Sequence, residues 1–166
     1  MSAATRLSAL LALLLCGAIF GFYYAWVCST MWGLDLAAPQ VAVAAMQAMN
    51  ASVRNAVFAP SFFGTPVVLL LTATLAWRDN RRPAATGFAL AAAIVAFGGV
   101  LLTMRFNVPM NEALALETPQ TPEAAEAIWQ AYSPRWQMFN QIRAALMGLA
   151  LLITGWSLMA LSRAPR

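Results

Sequence analysis

The chain has 166 residues, the length of one domain, but 61% of them are hydrophobic and only 10% charged. A soluble domain usually carries about 25% charged residues, so this composition is that of an integral membrane protein. The formal charge of +4 is carried by arginine alone, with no lysine and no basic run longer than Arg81-Arg82. That pattern excludes a nucleic-acid interface and leaves the arginines as topology signals. Histidine is absent, which excludes histidine-ligated haem or metal and any Ser-His or Cys-His catalytic pair. The two cysteines, Cys16 and Cys28, form no metal motif, and both read as apolar fillers. No metal site and no cofactor are expected.

Taken in chain order, four stretches reach the ~20 apolar residues a membrane crossing needs. They run from about Leu7 to Trp32, Ala56 to Trp77, Ala84 to Met104 and Asn140 to Leu161. The first outlasts the apolar core of a signal peptide and is followed by no A-x-A site. Its "LLLCG" has Leu15 where a lipoprotein box needs a small residue, so a retained span is expected. Within it, Gly17 and Gly21 form a G-x-x-x-G pattern, read as a site of internal helix packing. Gly98 and Gly99 in the third span invite the same reading. Phe20, Tyr23, Tyr24, Trp26, Trp32 and Trp77 cluster toward span ends, as interfacial aromatics do.

The connection from Gly33 to Asn55 contains a helical stretch, Val41 to Val57, expected to run on into the second span with kinks at Pro60 and Pro66. Gln47, Asn50 and Arg54 share one face of it, opposite Met46, Met49, Val53 and Val57. The link to the third span carries Arg78, Arg81 and Arg82 against Asp79. With Arg6, Arg163 and Arg166, that side holds six arginines and one acid. The positive-inside rule then places both termini in the cytoplasm, as expected of a bacterial inner-membrane protein, and both long connections outside.

The second long connection opens with "RFNVPMNEAL", Arg105 to Leu114. Asn107 reads as a helix cap with Pro109 in the first turn, which puts Asn111 one turn further on. Thr121-Pro122-Glu123 starts a short helix ending near Tyr132, and Ser133-Pro134 starts the last one. On that helix Trp136, Asn140 and Arg143 share a face, with Trp129 and Tyr132 on a similar stripe beyond Pro134. Three helix ends therefore carry Asn with Arg at one membrane level. Two readings follow. In one, the side chains converge on a pocket at the outer mouth of an all-α four-helix bundle with short extra helices in its two outer connections. In the other, the asparagines cap helices and the arginines snorkel to lipid phosphates.

"RFNVPMNEAL", followed by Trp129, Tyr132, Trp136 and "FNQIR" from Phe139 to Arg143, resembles the DUF1772 family, whose members are often labelled anthrone-oxygenase-like. "MQAMNASVRNAVF" upstream is similar to that family's first outer segment, and the resemblance spans nearly the whole chain. It implies a four-helix membrane protein and, for some members, oxidation of anthrones to anthraquinones by molecular oxygen. An anthrone carbanion reduces oxygen without metal or flavin, so the protein must hold the flat ring, stabilise a phenolate or enolate, and admit oxygen. On this reading Arg105, Arg143 and Glu112 are the catalytic candidates: the arginines supply a positive field, and Glu112 is the nearby carboxylate that burial would turn into a base. Asn50, Arg54, Asn107, Asn111 and Asn140 are candidate polar contacts, and Trp129, Tyr132 and Trp136 offer stacking surfaces. The expected partners are membrane lipids and a hydrophobic small molecule. The alternative is a non-enzymatic lipid- or quinone-binding accessory protein. A transporter is disfavoured, because the span interiors offer only Thr72, Thr74, Thr154 and Ser157 as polar groups.

Overall fold

The computed structural model describes residues 1–162, so Arg163 and Arg166 of the topology argument lie outside the described residues. Among the described residues the fold is helical throughout, without strands. Helix α1 spans Ala3–Asp35, α3 Pro60–Arg78, α4 Arg82–Ala115 and α5 Pro122–Ser162, and each is long and apolar enough to cross a membrane. Helix α2, Pro39–Ser52, is the short extra helix of the first connection. In the second connection the segment Val108–Ala115 joins end to end with the third span.

The expected breaks move. Helix α2 does not run into α3: the chain turns at 53–57, and Asn55 Oδ1 accepts from the backbone N–H of Val57 and Phe58 at 2.8 and 2.9 Å. That side chain satisfies two orphan donors at a new helix start. Asn107, by contrast, caps nothing with its side chain and has helical backbone angles. The third span passes through it, because a wide π turn, Thr103–Asn107, precedes Pro109 and lets Val108 N–H reach Thr103 O. Pro134 likewise does not start a helix; α5 passes through it without interruption. The start at Thr121 stands, with Ala124 N–H donating to Thr121 Oγ1 at 3.2 Å.

The four spans form an up-and-down ring in which α1 packs on α3, α3 on α4, α4 on α5 and α5 on α1. Buried alanines on every span, with Leu69, Phe88 and Met147 between them, let the backbones approach closely. A Cβ on Gly87 would lie 2.0 Å from Ser157 Oγ, and one on Gly98 would lie 2.6 Å from Leu146 Cδ1. Those glycines, with Gly99 against Met147, do pack internally. Gly17 and Gly21 do not: a Cβ on either would meet nothing within 4 Å. The periodicity of α1 explains this correction. Ala9, Ala12, Cys16, Ile19 and Tyr23 form its buried stripe, and the two glycines lie off it.

Polar clasps fasten both ends of the bundle. At one, Asp79 Oδ2 accepts from Ser2 N–H at 2.6 Å and from Thr5 Oγ1 at 2.8 Å. These bonds, the Ser2 N–H foremost, hold the Asp79 carboxyl below its ordinary range. Asn80 adopts a left-handed φ of 59°, which ends α3 and lets Arg81 N–H close on Ala76 O at 2.8 Å. At the other end, Asp35 accepts from Trp129 Nε1, Ser133 Oγ and Gln137 Nε2 at 2.7–2.9 Å, tying the tip of α1 to α5.

Candidate functional site

Three spans widen at the same end of the bundle. Helix α1 carries a π turn at Trp26–Thr30, α3 one at Pro60–Gly64, and α4 two, Val95–Leu101 and Thr103–Asn107. Such turns admit one extra residue and re-aim the side chains beyond them, and they recur at functional sites. Between these segments, α2 and the middle of α5 lies a cavity of about 620 Å³, inside the usual range for a small-molecule site. Its walls are mostly aromatic and aliphatic, with Phe22, Phe58, Phe62, Met49 and Val108 prominent, and its polar groups are few.

The polar groups centre on Arg143. Its guanidinium is buried, with the residue 3% exposed. Nη1 donates to Thr103 Oγ1 at 2.9 Å and Nη2 to Asn140 Oδ1 at 3.1 Å. The cation lies 4.6 Å from the Tyr23 ring centroid and 5.5 Å from that of Trp136. Thr103 gives its own proton to Gly99 O at 2.7 Å, so its lone pairs take both Arg143 and the Tyr23 hydroxyl, 3.2 Å away. Asn140 is fixed in turn by its Nδ2, which donates to Tyr23 O at 3.2 Å. Among the described residues the single ion pair is Arg54–Glu112; no carboxylate neutralises Arg143. Buried charges are ordinarily paired, because desolvation costs several kcal/mol per ion. This one is held by neutral acceptors and ring faces.

A second arrangement braces the wall. Asn111 Oδ1 accepts from Tyr132 Oη at 2.8 Å and from Trp136 Nε1 at 2.9 Å, and Asn50 Nδ2 donates to Tyr132 Oη at 3.3 Å. Asn107, 1% exposed, donates Nδ2 to Trp136 O at 3.4 Å, while its Oδ1 has no partner. Arg143 Nε is also unpartnered.

Of the residues singled out in the sequence, Asn50, Arg54, Asn107, Asn111, Glu112, Trp136, Asn140 and Arg143 line this one cavity. Tyr132 stands behind Asn111 and Asn50. Trp129 is engaged with Asp35 outside the cavity. Arg105 does not join the cluster: it is exposed, with its guanidinium 5.5 Å from the Phe106 ring, because it stands two residues from both Thr103 and Asn107, about half a helical turn, which puts it on the opposite face. Glu112 and Arg54 pair at 3.6 Å on the rim, each side chain 61% exposed, so the burial expected of Glu112 is absent. Gln47 serves the scaffold, donating to Leu114 O and Glu117 O at 2.8 and 2.9 Å. Tyr23 and Thr103 were not foreseen. Tyr23 continues the Ala9-Ala12-Cys16-Ile19 stripe, a signal that separates it from outward-facing Tyr24.

The anthrone oxygenase family model matches residues 54–153, more than half of the chain. The protein belongs to that family. The match takes in α3, α4 and the cavity-forming part of α5, including Arg143, Asn140, Trp136, Asn111, Asn107 and Thr103. Tyr23 and α2 lie outside the matched region. Searches of curated proteins and of solved structures each returned no match.

Proposed function

We propose that the cavity binds a flat phenolic, anthrone-like molecule in its deprotonated form, and that the protein oxidises it with molecular oxygen without a cofactor. The supporting observation is Arg143, a buried guanidinium with no acid beside it. Such a cation favours an anionic oxygen over a neutral one and lowers the cost of ionising a phenol or enol there. Trp136 and the phenylalanine-lined wall accept the ring faces. The enolate then passes an electron to oxygen, the radicals combine at the methylene carbon, and water is lost from the peroxide. One oxygen molecule thus converts a CH₂ to a carbonyl and releases one water. The chain, on this reading, sits in a bacterial inner membrane with both termini in the cytoplasm.

One observation favours the non-enzymatic reading, a quinone- or lipid-binding accessory protein. Among the described residues the single carboxylate on the cavity wall, Glu112, is exposed and engaged with Arg54 rather than poised beside Arg143. Oxygen uptake by the purified protein in lipid nanodiscs, with a panel of anthrones and hydroquinones, separates the two. Catalysis predicts stoichiometric oxygen consumption with anthrone that falls at least tenfold in Arg143→Gln. Uptake no faster than in empty nanodiscs, for every compound, refutes the oxygenase and leaves the binder.

A further inference from the structure

The seams between the spans at cavity level are not equivalent. The α1–α3 seam is closed by Phe22 against Phe58, centroids 4.8 Å apart. The α1–α5 seam is closed by Trp26 against Trp136 at 5.1 Å. The α4–α5 seam is closed by Phe106 stacked on Phe139 at 4.3 Å. Among the described residues no aromatic pair joins α3 to α4 there. Close α3–α4 packing is concentrated lower, between Thr65–Arg78 and Arg82–Ile94, and thins where Pro60–Gly64 meets Val95–Leu101. Above it, Phe63 of α3 and Met104 of α4 both line the cavity and are still 54% and 50% exposed. They are the lips of a sideways opening.

The depth of that opening decides what it faces. Counting from Arg78, Phe63 lies about 22 Å up α3, and counting from Arg82, Met104 lies about 33 Å up α4. With those arginines at one membrane surface, a hydrocarbon core of about 30 Å places Phe63 among the acyl chains and Met104 at their far boundary. Arg143, about 28 Å up α5 from Ser162 by the same count, lies between those two heights, inside the bundle. The polar end of the cavity therefore points inward and its apolar end points to lipid.

We propose that the ligand is a membrane-resident amphiphile: a phenolic aromatic head seated on Arg143, carrying an apolar tail that leaves between Phe63 and Met104 into the acyl layer. This rests on the reading of the cavity as a phenolate site and adds where the rest of the molecule lies. The tail stays in lipid before and after binding, so its length is neutral once concentrations are counted within the membrane.

The test uses 2-naphthol, 6-butyl-2-naphthol and 6-octyl-2-naphthol, titrated against the full-length protein in nanodiscs and followed by tryptophan quenching. Affinities are expressed as mole fraction in lipid. The expected result is three values within about threefold. Narrowing the opening with Phe63→Trp or Met104→Trp should weaken the octyl compound at least tenfold and leave 2-naphthol within twofold, with unchanged thermal melts serving as the folding control. Tight binding of 2-naphthol, sensitive to Arg143→Gln, together with rejection of the octyl compound by wild type, overturns the lateral opening and leaves the phenolate site standing. Equal effects of the tryptophans on all three probes also overturn it. Failure of every naphthol to bind overturns both.

Discussion

Replacing Arg143 by methionine separates binding from folding. Methionine is unbranched and adaptable, so it fills the space of the arginine stem without a charge. In the unliganded protein the guanidinium makes two hydrogen bonds, each worth about 1.5–3 kcal/mol when one partner is charged. Two ring contacts add about 0.5–2 kcal/mol apiece. Against these stands a desolvation cost of several kcal/mol for a buried ion without a counter-ion. The terms nearly cancel, and the variant should unfold within about 2 kcal/mol of wild type even after Asn140 Oδ1 loses its donor. The bound anion has no such compensation. Losing the cation of a buried charge pair costs about 2–5 kcal/mol, roughly 30- to 5,000-fold in affinity. The assay is 2-naphthol titration in nanodiscs beside denaturant or thermal unfolding of the same preparations. Affinity within threefold of wild type would show that Arg143 is not the anion anchor. A stability loss beyond about 4 kcal/mol would show that it is a structural pillar instead.

Asp79 predicts an acid dependence. Its folded pKa is depressed below the ordinary 3.8 by Ser2 N–H and then Thr5. Its contribution is therefore present above that value and is lost as pH falls through the depressed one. Melting temperatures of wild type and Asp79→Asn should converge as pH drops from 6 to 2.5, and parallel curves would show an idle clasp. Gly87→Ala should destabilise the bundle by about 1–3 kcal/mol through overpacking, because the new methyl meets Ser157 Oγ. Adding Ser157→Ala should recover part of that loss, and strict additivity in unfolding measurements would contradict the contact. For topology, reporters fused after Arg82 and after Arg163 should read cytoplasmic and one after Glu117 external; an external signal at Arg82 reverses the assignment.

The spans were legible because composition and length alone set them, and a membrane offers few other solutions. The polar cluster was legible because Asn and Arg are costly at that depth, so residues such as Asn140 and Arg143 pointed to an interior. Roles within it were harder to read. Asn107 and Pro134 look like helix starts, and both lie inside continuous helices. A wide turn absorbs the disruption before Pro109, and nothing in local propensity announces such a turn. Arg105 was misdirected for a different reason: it was grouped with Asn107 by membrane level, whereas residues two apart on a helix point to opposite sides. Asn55 was passed over as one polar residue in an amphipathic run, whereas its short side chain ends that run. Tyr23 needed the whole buried stripe of α1 to be told from Tyr24, and Glu112 looked buried only until its partner Arg54 was in place.

The wide turns of α4 carry a consequence for how this family can change over time. Each accommodates one more residue than an α-helical turn would. Deleting a residue from a wide turn lets it close to the ordinary pitch with little rotation, whereas deleting one from the ordinary helical stretch Arg82–Ile94 would rotate everything after it by about 100°. Thr103, Asn107 and Asn111 would leave the cavity together, although none of them had been altered. Substitutions on the lipid side of α4, at Phe97 or Leu101, have no such reach. The wide turns are therefore where α4 can lose a residue, and the number of residues between Arg82 and Ile94 is held more tightly than most of their identities. Insertions and deletions should be purged from this stretch and tolerated in the connection from Leu116 to Thr121, where the chain passes between helices.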